Sequence, residues 1–367
     1  MGYIDADTHV VECEHTWDFF EPSEAQFKPV IDDGYWKWEE RCKRWPGPAT
    51  SHWIDVFPAG SVDLSDPSAR VRYMDDLGVD VQVLFPTFWL ADRVTNVVRE
   101  AAMARSYNRW LAEATSDSGG RLGWAACVPV RATDRALEEL EFGKAHGALS
   151  AFVLGQNWEM SLADPSMFPI YAKAQDLDLA VTAHTGGDMR TFGMHPGNWL
   201  HSAVMTVPGA LHALIVGRLA ERFPNLRWGF LEAGASWLPF VLQEAFRADE
   251  TAKLRSFRDW RLSACEILHG SSFFTACQMD DDLPYLLEFT GPDNMLHGTD
   301  FGHLDLGSDP NGLHIVANRD DVDPAIAHKI VDDNARRLYG IDPSFQPAPR
   351  ATTEGLVLSP GSAGTIQ

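Results

Sequence analysis

The sequence predicts a (β/α)8 barrel, a TIM barrel, and three observations carry that expectation. Apolar runs of strand length recur eight times, at residues 3–11, 79–86, 122–130, 149–155, 179–184, 226–232, 271–277 and 294–300. Helix-like patterns fill the stretches between them, the alternation expected of a closed parallel sheet wrapped by helices. The residues able to do chemistry stand at the C-terminal ends of these runs, where barrel enzymes assemble their sites.

Element by element, residues 95–116 show helical apolar spacing, and residues 165–176 and 323–339 read as further helices. In the last of these Asp323 is placed as N-cap and Pro324 as the first helical residue, and Gly340 closes it in a position suited to a left-handed turn. Residues 1–342 are read as one barrel. Residues 12–65 form a long insertion after the first strand, carrying Trp17, Phe19, Phe20, Trp36, Trp38, Trp45, Trp53 and Phe57. Two readings fit it: an aromatic lid over the barrel mouth that encloses an apolar substrate, or a small satellite core beneath a surface loop. Residues 343–367, rich in Pro, Ser, Gly and Ala, read as a C-terminal extension.

The composition narrows the function classes. With 45% hydrophobic and 22% charged residues the chain has the profile of a globular protein with a large core. A formal net charge of -22 argues against nucleic acid as a partner, because phosphate binding needs a basic surface. An anionic substrate would need a local basic patch, for which Arg190, Lys253, Arg255, Arg258 and Arg261 are candidates, a solvated helix face being the plainer reading. Five scattered cysteines without a CxxC pair fit a reducing, cytoplasmic compartment. No apolar run reaches the roughly 18 residues needed to span a bilayer, so no membrane association is expected.

The first strand contains Asp5-Ala6-Asp7-Thr8-His9, and strand alternation puts Asp7 and His9 on one side, with Glu12 just beyond. His184 ends the fifth run and Glu232 the sixth, after apolar residues on both faces. A carboxylate placed there needs a partner, since burying an unpaired charge costs several kcal/mol. The eighth run ends in His297-Gly298-Thr299-Asp300-Phe301-Gly302-His303. Taken singly, each is an ordinary loop or core residue; taken together, from four strands, they predict a metal site. His201 is a further candidate ligand, while His195 and His212 read more simply as loop or helix histidines.

With these pieces in place, the chain resembles the amidohydrolase-related barrels that include aminocarboxymuconate semialdehyde decarboxylase and resorcylate decarboxylase. The resemblance rests on Asp7-Thr8-His9, His184, the Glu221-Arg222-Phe223-Pro224 turn, Glu232 through Pro239, Gly298-Thr299-Asp300, and Asn334 through Tyr339. It implies that Asp7, His9, His184 and Asp300 hold a divalent metal. The departures are Glu232, where those decarboxylases carry a proton-handling histidine, and the additional Glu12 and His303. A ligand set this rich in carboxylates exceeds the needs of one zinc and suits two iron or manganese ions better. In this respect the chain also looks like the branch of these barrels that activates dioxygen with two non-haem irons, known from diterpenoid hydroxylation in platensimycin and platencin biosynthesis.

Three readings follow. A diiron monooxygenase would hold two irons through Asp7, His9, Glu12, His184, Glu232, Asp300 and His303, with Glu232 and His303 also catalytic, and would hydroxylate an apolar, diterpenoid-like substrate, free or coenzyme A-linked, for antibiotic biosynthesis. A hydrolase or non-oxidative decarboxylase would use one zinc or manganese, with Glu232 as acid or base. A non-catalytic binding protein on the same fold is the third. A homodimer is expected for an acidic barrel of this kind.

Overall fold

The computed structural model describes residues 2–38, 45–46, 52–90, 94–187, 200–248, 266–269, 272–304 and 307–347. Eight strands form one sheet: β1 (Tyr3–Val10), β2 (Val79–Pro86), β3 (Leu122–Cys127), β4 (Ala148–Leu154), β5 (Ala180–His184), β6 (Trp228–Leu231), β7 (Phe273–Cys277) and β8 (Met295–His297). Each pairs in parallel with the next in chain order. The segment after β8 closes the ring onto β1: the Asp300 amide donates to the Asp7 carbonyl at 2.9 Å and the His9 amide to the Phe301 carbonyl at 2.6 Å. Gly298 makes this approach possible, since a Cβ there would fall 2.3 Å from the Asp7 Cβ.

Helices follow the strands and lie outside the sheet. Helix α1 (Pro67–Leu77) opens on Asp66, whose side chain accepts the Ala69 amide, and stops at left-handed Gly78. Helix α2 (Val97–Thr115) is capped by Asn96 through the Arg99 amide. The sequence reading places these elements well and misjudges several ends. β3 stops at Cys127, short of Pro129, which has no amide to give to a neighbouring strand. The expected helix 165–176 begins with a 3-10 turn, Pro165–Met167, before α-helix Phe168–Asp176, because Pro169 cannot donate back across the junction. Helix 323–339 has the expected Asp323 cap and Gly340 stop, but a π-turn at Lys329–Asp333 divides it.

The core is the layer between strands and helices. On one side Ile4, Val81 and Val83 pack with Met74, Leu77, Tyr107, Trp110 and Leu338. On the other Val153, Val181, Ala183 and Phe230 pack with Ile170, Tyr171, Leu211 and Leu242. Each such aliphatic or aromatic side chain contributes about 1.5–3 kcal/mol on burial, which is enough to fix the strand ends that carry the polar residues.

The insertion after β1 contains short 3-10 turns and a small antiparallel sheet, Val30–Asp32, Tyr35–Lys37 and Trp45–Pro46. Its aromatic residues build a satellite core: Trp17, Trp36 and Trp38 pack with Phe88, Val94 and Met103. Phe57 joins Val11, Val62 and Phe301 in another small cluster. The side chains of Trp45 and Trp53, the proposed basic patch at Arg190, Lys253, Arg255, Arg258 and Arg261, and residues 348–367 of the C-terminal extension lie outside the described residues. Among the described residues no helix is long and apolar enough to cross a membrane.

Candidate metal centre

Asp7 and His9 point from β1 into the barrel mouth, His184 is the last residue of β5, Glu232 follows β6 at once, and Asp300 and His303 follow β8. Their ligand atoms converge in two overlapping groups, Asp7–His9–His184–Glu232 and His9–Glu232–Asp300–His303. His9 Nε2 lies 3.6 Å from Asp7 Oδ1, 3.6 Å from Glu232 Oε2 and 3.4 Å from Asp300 Oδ1. His184 Nε2 lies 3.5 Å from Asp7 Oδ1 and 3.0 Å from Glu232 Oε2.

These separations are those of neighbouring ligands on a metal. Atoms bound about 2.1 Å from a common metal are about 3.0–3.4 Å apart when they are neighbours in an octahedral or tetrahedral shell. A two-metal centre would spread its ligands around ions about 3.5–4 Å apart. One imidazole nitrogen also has a single lone pair, so the His9 Nε2 shared by both groups belongs to one ion.

The hydrogen bonds around the histidines prepare them as ligands. His9 Nδ1 donates to the Pro86 carbonyl at 3.1 Å, and His184 Nδ1 donates to the Thr185 carbonyl at 3.0 Å. A carbonyl only accepts, so each Nδ1 carries the proton and each Nε2 is left bare toward the cluster. Both Nε2 atoms, with Asp7 Oδ1 and Asp300 Oδ1, are buried and have no hydrogen-bond partner. Burial, together with the neighbouring His303 and His184, holds the His9 pKa well below its ordinary value, which keeps the ring neutral. Burial pushes the Asp7 carboxyl upward, against the lowering influence of His184. Four buried ligand atoms without a hydrogen-bond partner are costly until a cation satisfies them, and two imidazoles with three carboxylates form a set that a divalent transition metal fits.

The backbone is strained where it presents two of the carboxylates. Glu232 and Asp300 have φ of 54° and 52°, in the left-handed region that residues with a Cβ avoid. The Asp300 loop is pinned by the Ser308 hydroxyl, which donates to Asp300 Oδ2. Below it, Asp5 accepts the Thr299 amide at 2.8 Å and the Thr299 hydroxyl at 2.6 Å. Gln82 donates to Asp5 at 3.2 Å and accepts from Arg70 Nε at 2.7 Å, while Arg70 also donates to the His9 carbonyl at 2.8 Å. Burial raises the Asp5 pKa to about 7.

Six of the seven expected ligands therefore meet. Glu12 stands apart: it belongs to neither convergent group, and its Oε2 accepts the Phe88 amide at 2.9 Å. The physical reason is that β1 ends at Val10, after which the Val11 amide bonds to the Val62 carbonyl and the chain leaves the barrel. The His201 side chain and all of His195 lie outside the described residues, and His212 is a half-buried residue of the helix Thr206–Val216. Thr87, Ser308 and the Asp5–Gln82–Arg70 chain are parts of the site that the sequence reading misses. A hydroxyl placed directly after the last residue of a barrel strand, as Thr87 is, was the available signal.

Comparison with known proteins agrees with this architecture. Residues 4–341 match the family model described as amidohydrolase. A curated relative, 2-amino-3-carboxymuconate-6-semialdehyde decarboxylase of Dictyostelium discoideum, is 23% identical over 296 residues, covering 76% of this chain and 78% of its own. An amidohydrolase structure from Mycobacterium avium subsp. paratuberculosis superposes with a TM-score of 0.74 at 19% identity, covering 93% of this chain and 98% of its own. A 5-carboxyvanillate decarboxylase from Novosphingobium aromaticivorans, complexed with manganese, gives 0.65 at 14% identity and covers 93% and 96%. At such identities the structural likeness speaks for the fold.

Proposed function

The chain belongs to the amidohydrolase family, and we propose that it is a metal-dependent, non-oxidative decarboxylase of a carboxylated aromatic or conjugated acid. The observation that carries this reading is the convergence of Asp7, His9, His184 and Glu232 on one another, with Asp300 and His303 in the overlapping group beside them. The decarboxylases among the proteins it resembles, one of them holding manganese, support the same choice. This replaces two irons and monooxygenation, the main sequence expectation, with one zinc or manganese, its alternative.

A divalent ion bound there supplies a Lewis acid that draws substrate oxygens and stabilises negative charge. Burial of His9, His184 and Asp7 excludes water from beneath the ion. Glu232, its Oε2 3.0 Å from His184 Nε2, would help hold the ion, so proton handling falls to His303, whose Nδ1 lies 2.8 Å from Asp300 Oδ1. In the reaction the bond between the substrate carbon and its carboxyl carbon breaks and its electron pair stays on the substrate carbon. Carbon dioxide leaves, and a proton that His303 Nδ1 takes from water passes to that carbon, the hydroxide left behind combining with the carbon dioxide as bicarbonate.

The second convergent group, His9–Glu232–Asp300–His303, favours one other reading, a second iron and dioxygen chemistry on an apolar substrate. The deciding experiment loads metal-free protein with manganese or zinc, excludes oxygen, and offers a panel of hydroxybenzoates and conjugated enoic acids. Release of carbon dioxide at one metal per chain is expected. Turnover that requires oxygen and two irons, or hydrolysis of esters or lactones without carbon dioxide release, overturns the proposal.

A further inference from the structure

We propose that Thr87 is a positioning residue that fixes the tautomer of His303, so that Nδ1 and not Nε2 faces the ligand atoms. Thr87 is buried and directly follows the last residue of β2. Its hydroxyl has one hydrogen, and that hydrogen goes to the Val10 carbonyl at 2.8 Å, an atom that can only accept. The same Oγ1 lies 3.0 Å from His303 Nε2. With its hydrogen already committed, the oxygen can only accept there, so Nε2 carries a proton.

The remaining nitrogen, Nδ1, is thereby turned to Asp300 Oδ1 at 2.8 Å. The ring plane is held separately by stacking on His9, with centroids 3.9 Å apart and planes 24° from parallel. The hydrogen bond to Thr87, itself held by the Val10 carbonyl, sets the ring's rotation within that plane and one aromatic neighbour sets the plane, and the whole is anchored to the ends of β1 and β2. A Thr hydroxyl suits this better than a more mobile one, because the β-branch restricts its side-chain rotation.

The tautomer follows from hydrogen-bond direction alone; its consequence for turnover rests on the reading of His303 as proton carrier. The experiment is nitrogen-15 NMR of histidine-labelled protein, metal-free and zinc-loaded, with the His303 signals assigned from a His303→Gln spectrum. The wild type is expected to show His303 protonated at Nε2. Thr87→Val, nearly isosteric, is expected to release a population protonated at Nδ1 and to lower kcat about five- to tenfold with KM unchanged, the effect of one lost hydrogen bond. Thr87→Ser keeps the hydroxyl and is expected to restore both spectrum and rate.

A wild-type spectrum in Thr87→Val, or a disturbed one in Thr87→Ser, overturns the positioning role. A shifted tautomer in Thr87→Val with an unchanged rate upholds that role and instead removes His303 as the proton carrier.

Discussion

Glu232 and Asp300 reach the same ion position from the same disfavoured backbone conformation, φ 54° and 52°, on strands separated by one neighbour. A left-handed residue with a Cβ costs on the order of 1 kcal/mol or more and persists where the surroundings over-determine it. Here the ring closure onto β1 and the Ser308 hydroxyl do so for Asp300. Comparing Glu232→Gly with Glu232→Ala isolates the strain, since both lack the carboxylate. At an ordinary position glycine would be the less stable variant; here the metal-free glycine protein is expected to be more stable by about 1 kcal/mol. Urea unfolding of the two variants checks the sign.

Because His9 Nε2 is shared by both convergent groups, the centre should bind one ion with high affinity. Dialysis against a chelator is expected to remove about one metal per chain, and restoring it at a hundredfold over Kd should stabilise the fold by about 2.7 kcal/mol. Asp7→Ala and His184→Ala should lose that metal. Glu12→Gln should keep it, since the amide oxygen can still accept from Phe88 and the residue stands outside the cluster. Elemental analysis of the variants decides the matter, and metal loss in Glu12→Gln would return that residue to the ligand set.

Why most of this was legible in the sequence, and some was not, has a physical basis. A parallel barrel strand is buried on both faces, so its sequence is a short apolar run, and a charged residue at its end stands out; Asp7, His184 and Glu232 were visible for that reason. Glu12 had the same appearance two residues beyond the strand, but periodicity does not report where the chain turns away, and the Val11–Val62 bond decides that. Thr87 and Gln82 act through hydrogen bonds to partners more than seventy residues away in sequence, and Ser308 through a bond across the loop to Asp300, and no local spacing encodes such pairs. Counting carboxylates in the sequence says nothing of the 3.0–3.6 Å separations that bring Asp7, Glu232 and Asp300 to the two histidines, so the number of ions was not legible there.

Arg70 is fully buried and braces the site from beneath, donating to Gln82 and to the carbonyl of His9 and lying 4.5 Å over the Phe301 ring. Burial lowers its pKa to about 9, which leaves it charged at neutral pH. Removing it leaves the Gln82 oxygen and the His9 carbonyl without their donor, and leaves the Asp5 carboxyl without its cationic neighbour. Arg70→Met is therefore expected to cost about 3 kcal/mol in urea unfolding and to weaken metal binding through His9. Arg70→Lys should recover little, because an ammonium cannot reproduce the guanidinium's fork of donors. Full recovery by lysine would show that charge alone, without the directed hydrogen bonds, holds the brace.

His297 gives the fold a dependence on acid. It is fully buried, its Nδ1 donates to the Cys277 carbonyl at 2.8 Å, and burial holds its pKa below 6.5. The unfolded chain takes up a proton near pH 6.5 that the folded chain refuses. The contribution to stability is therefore fully present above that pH and is lost as the pH falls toward the depressed folded value, at up to about 1.4 kcal/mol per pH unit. Other groups titrate in the same range, so the informative quantity is the difference between wild type and His297→Gln, whose replacement side chain has no proton to gain. Urea unfolding at pH 7.5, 6.0 and 5.0 should show the wild type losing stability faster than the variant below pH 6.5. Parallel losses in the two proteins would place the acid sensitivity on other groups.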